Sequence, residues 1–238
     1  MADIGSPHID EPYSRALFQL LHRIQPLKHL LRTGWIDREV ISPETVAAHS
    51  WRLAVMAWLV ADALELDSAK AIKIALVHDL AEAITGDSTP FDELGSTAEE
   101  RRALASDPPN ISEWRVDAHR ETKAASERSA LAILLEGAPP QASDALLQTW
   151  EVYARDDSPE ARLVHQLDKL EAFLQGCEYA AEGRLADPKT LNSFRTDSES
   201  LIKDPLPRAL LRALESWYDD LNLSEGQPSA RPKPEPER

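Results

Sequence analysis

The side chains best suited to chemistry occur close together in one apolar segment of the chain. His78 and Asp79 are adjacent, Glu82 follows one helical turn later, and Asp87 comes shortly after it. If residues 68 to 84 form one helix, the side chains of His78, Asp79 and Glu82 share one edge of it. Polar groups beside a buried face must be hydrogen-bonded, bound to a metal or hydrated. The adjacent imidazole and carboxylate therefore predict a site for a divalent ion.

The remaining ligands of such an ion must come from other helices, and two positions are suited to this. His49 lies on the apolar stripe of a predicted helix. Asp168 lies on the inward side of another, where an unpaired carboxylate would be too costly to bury. We therefore expect His49, His78, Asp79 and Asp168 to bind one metal ion between the central helices.

The chain that positions these residues is predicted to be all-α. Glycine is scarce, with 8 in 238 residues, and long alternating strand patterns are missing. We expect a flexible N-terminal arm at 1–12, a single helical domain at 13–222 and a disordered tail at 223–238. Within the domain, residues from about 103 to 113 are expected to be a surface insertion.

Local signals also predict where individual helices begin. The first helix should cover about Ser14 to Leu31. Later helices should begin after N-capping residues, with Pro43 and Pro159 at first helical positions and Glu99 completing a capping box. The predicted caps are Ser42, Asp67, Ser96 and Ser158.

The composition excludes several classes of partner. The formal net charge of −15 argues against nucleic-acid polymers and anionic membranes, since both need a basic surface.

Cys177 is the single cysteine, so no disulfide framework is expected and a reducing compartment is indicated. We find neither a signal peptide nor a stretch of about 18 apolar residues. The expected location is the cytoplasm, or the cytoplasm and the nucleus.

The ordered combination of motifs resembles the 5′-deoxynucleotidase branch of the HD-domain phosphohydrolases over about residues 14–220. The resemblance implies a single HD-domain helical bundle and a metal-dependent phosphoric monoester hydrolase of nucleotide metabolism. It implies hydrolysis of (deoxy)ribonucleoside 5′-monophosphates by attack of a metal-bound water, and a homodimer. The motifs that carry it are His49, His78-Asp79-x-x-Glu82-x-x-x-Gly86-Asp87, Arg32-Thr-Gly-Trp35 and Gln166-Leu-Asp168-Lys-x-Glu171.

Roles for the remaining site residues follow from this chemistry. The nitrogen and oxygen ligands suit Co²⁺, Mn²⁺, Fe²⁺ or Zn²⁺. Glu82 is assigned general acid/base catalysis and Asp87 a catalytic positioning role, with a second ion, Mg²⁺, near both as an alternative. A phosphate dianion needs a guanidinium, and either Arg32 or Arg38 could supply it. In the family the aromatic at Trp35 lies against the sugar, although a loop tryptophan can also simply fill the core.

Two departures from the family keep alternatives open. The bacterial branch has an arginine directly before the tryptophan, where this chain has Gly34. Relatives usually carry an acid directly before the first histidine ligand, where this chain has Ala48. The same scaffold could therefore act on another phosphomonoester, such as a modified nucleotide. A domain that binds nucleotides without turnover is a further alternative.

Overall fold

A computed structural model of the chain describes residues 11–89, 92, 97–108 and 117–224. Within these ranges the protein is all-α, as predicted, with eleven α-helices, two 3₁₀-helices and no β-strand. An isolated antiparallel bridge joins Leu31 to Thr45. No helix in these ranges is both long enough and apolar enough to cross a membrane.

The α-helices are α1 (Glu11–Arg23), α2 (Thr33–Asp37), α3 (Val46–Ala63), α4 (Ser68–Val77), α5 (Glu82–Thr85), α6 (Ala98–Ser106), α7 (Asp117–Leu134), α8 (Pro140–Arg155), α9 (Pro159–Ala181), α10 (Asn192–Leu201) and α11 (Pro205–Ser224). The 3₁₀-helices cover Gln25–Lys28 and Pro188–Leu191.

Two of the predicted N-caps are confirmed. The side chain of Asp67 accepts a hydrogen bond from the backbone N–H of Lys70 at 2.9 Å. The hydroxyl of Ser158 accepts one from the N–H of Ala161 at 3.2 Å, and Pro159 occupies the first position of α9. These caps satisfy backbone donors that would otherwise lack a partner at the helix start.

Two other predicted starts are wrong by a few residues. Helix α3 is capped by Thr45 rather than by Ser42, which has a positive φ of 53° in the preceding loop. The capping box pairs Thr97 with Glu100, one residue later than expected. In both places the sequence offers more than one capping residue within a few positions.

The first helix is shorter than predicted. It ends at Arg23, and the Gln25–Lys28 3₁₀-helix follows. Pro26 explains the break, because proline lacks an N–H and its ring clashes with the carbonyl four residues earlier in an α-helix.

In the part of the chain that the structure describes, the buried side chains form two hydrophobic clusters, and α9 lies at the centre of the first. Helix α9 packs against α3, α4, α10 and α11, and its buried side chains include Leu163, Leu167 and Phe173. The second cluster joins α1, α4, α7 and α8 through Leu20, Val77, Leu80, Leu131 and Trp150.

The segment that links these clusters is a tight turn where a continuous helix was predicted. Helix α4 ends at Val77 and α5 begins only at Glu82. Between them the N–H of Leu80 donates to Val77 O and the N–H of Glu82 donates to Asp79 O, both at 3.1 Å. These bonds span three residues instead of four, so the chain tightens at the predicted site. The expectation of one helix over 68–84 is therefore wrong.

The predicted domain boundaries stay predictions. Helix α1 begins inside the predicted arm, and α11 extends to Ser224. Residues 103–106 of the predicted insertion belong to α6, where Ala105 is buried. Residues 1–10, 109–113 and 225–238 of the predicted arm, insertion and tail lie outside the described residues.

Candidate metal centre and active site

The four predicted metal ligands come together at the meeting point of α3, α9 and the turn after α4. His49 Nε2 lies 3.1 Å from Asp168 Oδ1, and His78 Nε2 lies 3.0 Å from Asp79 Oδ2. The two imidazole rings are 5.3 Å apart between centroids. Ligand atoms of His49, His78 and Asp79 all lie within 4.8 Å of one another. One cation could therefore contact both imidazoles and Asp79, and Asp168 adjoins this group through its approach to His49.

The other nitrogen of each ring is fixed by a hydrogen-bond acceptor. His78 Nδ1 donates to the carbonyl of Ala75 at 2.8 Å, and His49 Nδ1 pairs with the carboxylate of Glu171. Both Nε2 atoms are buried, and neither has hydrogen-bond geometry with any residue in the described part of the chain. Fixing the proton on Nδ1 leaves Nε2 free to bind a metal. The donor set therefore fits a divalent ion.

The charge around this point is strongly negative. Arg32 Nη1 lies 2.9 Å from Asp79 Oδ2. Burial alone would lower the pKa of Arg32, but the carboxylates of Asp79, Asp87, Asp168 and Glu82 together raise it. Lys169 Nζ is the cationic partner of Asp168 at 2.7 Å, so Arg32 faces Asp79 and Asp87, and a bound dication would offset the negative charge that remains.

The pKa values of Glu82 and His49 are also raised in these surroundings. Burial, with the neighbouring charges of Asp79 and Asp87, raises the pKa of Glu82 to about 10. Glu82 Oε2 is buried and has no hydrogen-bond partner among the described residues. Burial and Arg32 lower the pKa of His49, but Glu171 and Asp168 outweigh them and raise it to about 9. Without a metal, the site therefore binds protons instead.

Asp87 ties the loop after α5 to the start of α2. Its carboxylate accepts a hydrogen bond from the N–H of Thr33, and its carbonyl accepts one from the Thr33 hydroxyl at 2.9 Å. Gly86 precedes it with a φ of 75°, a conformation that favours glycine. Asp87 thus holds the segment that carries Arg32 against the site.

The structure places Trp35 and Arg38 in the core. Trp35 is 2% exposed, packs on Tyr179 and Phe194, and donates from Nε1 to Glu44 at 3.0 Å. Arg38 is 3% exposed. Its three nitrogens donate to Thr190 O, Gly34 O and Ser193 Oγ at 3.1, 2.6 and 2.7 Å. Trp35 and Arg38 use these bonds for contacts within the core. Arg32, the third predicted substrate-binding residue, forms an ion pair with the predicted metal ligand Asp79.

Three neighbours of the site were not predicted from the sequence. Glu171 lies in the quoted Gln166–Glu171 motif, but no role was assigned to it. Tyr153 packs edge-on against His78 at 5.6 Å between centroids. Lys123 interacts electrostatically with Asp79 and forms an ion pair with Glu127 at 3.5 Å. Each of them meets its site partner only in three dimensions, so sequence spacing alone does not reveal the contact.

A second acidic group lies on the opposite side of His49. Glu44, His49 and Glu171 also have ligand atoms within 4.8 Å of one another. Glu171 is already bound by Arg52 at 2.8 Å, and Glu44 accepts from Trp35. Because these oxygens have protein partners, this group is better suited to supporting His49 than to binding an ion.

The fold and this site define an all-α protein with a candidate His/Asp metal centre. A family model described as HD domain matches residues 24–209. The chain therefore belongs to the HD domain family.

Named relatives and a solved structure are also similar to this chain over most of its length. The chain is 33% identical to the protein named 5′-deoxynucleotidase HDDC2 of Homo sapiens, covering 79% of this chain and 81% of the relative. It is 32% identical to the protein of the same name in Xenopus laevis, covering 87% and 89%. A crystal structure of a Pyrococcus horikoshii OT3 protein matches with a TM-score of 0.58 and 28% identity, covering 86% of this chain and 99% of that one.

Proposed function

We propose that the protein is a metal-dependent phosphoric monoester hydrolase that converts (deoxy)ribonucleoside 5′-monophosphates to nucleoside and phosphate. The observation that carries the proposal is the pair of buried Nε2 atoms of His49 and His78. Each faces a carboxylate oxygen at 3.0 to 3.1 Å while its Nδ1 is held elsewhere. The relatives named 5′-deoxynucleotidase support the substrate class.

His49, His78, Asp79 and Asp168 would hold the metal ion. Their nitrogen and oxygen donors suit Co²⁺, Mn²⁺, Fe²⁺ or Zn²⁺. A divalent ion bound there would supply the Lewis acidity needed for attack of water on phosphorus.

Arg32 is the proposed phosphate-binding residue. It is close to the ligand carboxylate of Asp79 and is partly exposed, with 19% of its side chain accessible. A guanidinium in this position can donate two parallel hydrogen bonds to phosphoryl oxygens. Asp87 orients it indirectly by holding the neighbouring Thr33.

Glu82 is the proposed proton donor to the leaving 5′ oxygen. Its raised pKa, about 10 before a cation is bound, keeps a proton on the carboxyl at neutral pH. A bound cation would lower that pKa toward neutrality, where general acid/base catalysis is most effective. The alternative role, holding a second ion such as Mg²⁺ together with Asp87, uses the same two carboxylates.

One observation favours a second candidate function. Trp35 and Arg38 are buried, so a nucleotide would have to displace them to use them for recognition. With Gly34 in place of the arginine of the bacterial branch, this favours an HD-domain phosphohydrolase acting on another phosphomonoester, such as a modified nucleotide. A protein that binds nucleotides without turnover is disfavoured because all four ligands and Glu82 are present.

The experiment that tests the proposal is phosphate release from a panel of deoxy and ribo 5′-monophosphates, with modified nucleotides and other phosphomonoesters assayed in parallel. Protein stripped with a chelator is assayed alone and after Co²⁺, Mn²⁺, Mg²⁺ or Zn²⁺ is restored. We expect release only with a restored metal, and loss of release in Asp79→Ala. Release from a different phosphomonoester alone would favour the second candidate, and no release from any substrate would overturn both.

Assembly and location are also proposals. We propose a homodimer that uses the exposed face of α11, where Leu210 and Trp217 are 37% and 41% exposed. The single cysteine, Cys177, is consistent with the cytoplasm.

A further inference from the structure

The carboxylate that holds His49 is itself held by an arginine. Glu171 is fully buried, and one of its oxygens pairs with His49 Nδ1. Arg52 Nε donates to the other oxygen at 2.8 Å. The remaining nitrogens of Arg52 donate to Glu178 at 2.6 Å and to Gln175 at 2.8 Å. All three guanidinium nitrogens are thus bound to residues of α9.

Helical spacing places the residues of this arrangement on one face of α3 and one face of α9. His49 and Arg52 are three residues apart on α3, so they project from the same face. Glu171, Gln175 and Glu178 likewise follow one face of α9. A planar guanidinium with three fixed partners leaves Glu171 little freedom to rotate. The orientation of the carboxylate at His49 is therefore set by Arg52.

Ala48, the departure noted in the sequence, takes no part in this arrangement. Relatives usually carry an acid directly before the first histidine ligand, but Ala48 is exposed and offers no carboxylate. In this chain the acid that contacts His49 comes from α9.

We propose that Arg52 is a positioning residue for the metal centre. By fixing Glu171, it keeps the proton of His49 on Nδ1 and directs Nε2 toward the ion. Arg52 does not touch the reacting atoms. The inference rests on the proposed metal site, but it can fail independently of the proposed activity.

The test compares metal affinity between Arg52→Met and a matched control. Methionine keeps the aliphatic packing of the side chain and removes its hydrogen-bond donors. The control is Arg128→Met, which removes a two-bond pair to Glu151 of 2.7 and 2.8 Å between α7 and α8. Affinity for Zn²⁺ or Mn²⁺ alone is measured by competition with a chromophoric chelator, without nucleotide.

We expect Arg52→Met to lower metal affinity about 10- to 100-fold, and Arg128→Met to leave it unchanged. Arg52→Lys, which keeps the charge without the planar fork, should fall between wild type and Arg52→Met. In ¹⁵N-detected imidazole spectra recorded at equal metal concentration, His49 Nε2 should show the shift of a coordinated nitrogen in wild type and a smaller coordinated fraction in Arg52→Met. A purely structural ion pair would change the unfolding midpoint without changing either readout.

Glu171→Gln keeps the test decisive if Arg52→Met does not fold. It removes the charge and preserves the shape, and we expect a similar loss of metal affinity. Wild-type metal affinity in the folded Arg52→Met and Glu171→Gln variants would overturn the proposal. Metal binding by wild type without phosphate release from any substrate would instead overturn the proposed function and leave the positioning role intact. Failure of wild type to bind any metal would overturn both.

Discussion

At the scale of single residues, the candidate site depends on which nitrogen of each imidazole is held. His78 Nδ1 is fixed by a backbone carbonyl, and His49 Nδ1 by a buried carboxylate. In both rings this directs Nε2 toward the carboxylates of Asp79 and Asp168. A buried nitrogen lone pair facing carboxylate oxygens is stable only if a proton or a metal ion lies between them.

Replacing one ligand should show this dependence directly. We expect Asp168→Asn to lower metal affinity by about 100-fold or more, because losing a ligand costs at least as much as losing the group that orients it. Chelator competition measures the change. Asp156→Asn is the matched control, since Asp156 is exposed and has a positive φ that asparagine tolerates. Equal loss in both variants would contradict the assignment.

The proton on Glu82 predicts how stability depends on pH in the metal-free protein. Its pKa is raised to about 10 in the folded state, so the folded protein holds a proton that the unfolded chain has lost. The stabilisation is complete below the ordinary glutamate pKa and is lost as pH rises through about 10. As the pH rises from about 6 to about 9, the free energy of unfolding should therefore fall less in Glu82→Gln than in wild type.

Urea unfolding with a chelator present measures this difference. His49, with a pKa raised to about 9, contributes a fall of the same sign in both proteins, so the comparison isolates Glu82. The exposed Glu136→Gln should behave as wild type does. Parallel pH profiles for wild type and Glu82→Gln would show that Glu82 is ionised in the folded protein.

Some of these residues were predictable from the sequence and others were not. The adjacent His78 and Asp79 predicted a metal site because histidine and aspartate are both ligand types and cannot be buried unpaired. Glu171 lies 122 positions from the histidine it supports, and its partner is visible only in three dimensions. The core position of Trp35 follows likewise from its contacts with Tyr179 and Phe194 rather than from local sequence.

At the scale of elements, α9 and the turn after α4 position the site. Helix α9 supplies Asp168 and Glu171 from its buried face. The turn at 78–81 brings His78 and Asp79 out of a regular helix, so their side chains need not follow helical spacing. Polar residues in an apolar helix indicated that the segment was unusual, but periodicity alone does not reveal a change in the hydrogen-bond ladder.

The start of α9 offers a test of this element. Ser158→Ala removes the acceptor for the N–H of Ala161, and we expect a loss of about 0.5–2 kcal/mol in the free energy of unfolding. Urea denaturation measures it. Ser129→Ala is the control, because Ser129 is exposed within α7 and bonds only to the Ala125 carbonyl, so alanine should cost nothing there. A stable Ser158→Ala would mean that tertiary packing alone defines the helix start.

Capping signals predicted α4 and α9 correctly but not α3, for a physical reason. Asp67 and Ser158 each precede a clear apolar helix, whereas the segment before α3 contains both Ser42 and Thr45. Backbone hydrogen bonds from Arg32 to Glu44 and from Val46 to Leu30 hold that segment extended, so the helix begins at the later residue. Such long-range contacts cannot be deduced from capping preferences.

At the scale of the whole molecule, the surface of α11 predicts assembly. Leu210 and Trp217 lie two helical turns apart on one face and are partly exposed. We expect wild type to sediment as a dimer and Trp217→Glu as a monomer in analytical ultracentrifugation. Trp58→Glu on α3, where the side chain is 50% exposed, is the control and should stay dimeric. Monomeric wild type, or dissociation caused only by Trp58→Glu, would exclude this interface.

The central claim is that one divalent ion binds where α3, α9 and the turn after α4 meet. The most direct measurement is an anomalous difference map of crystals grown with Mn²⁺, Co²⁺ or Zn²⁺. We predict a peak at about 2.0–2.2 Å from His49 Nε2, His78 Nε2 and oxygens of Asp79 and Asp168. A peak among Glu44, His49 and Glu171 instead, or no peak in protein that still releases phosphate, would contradict the account.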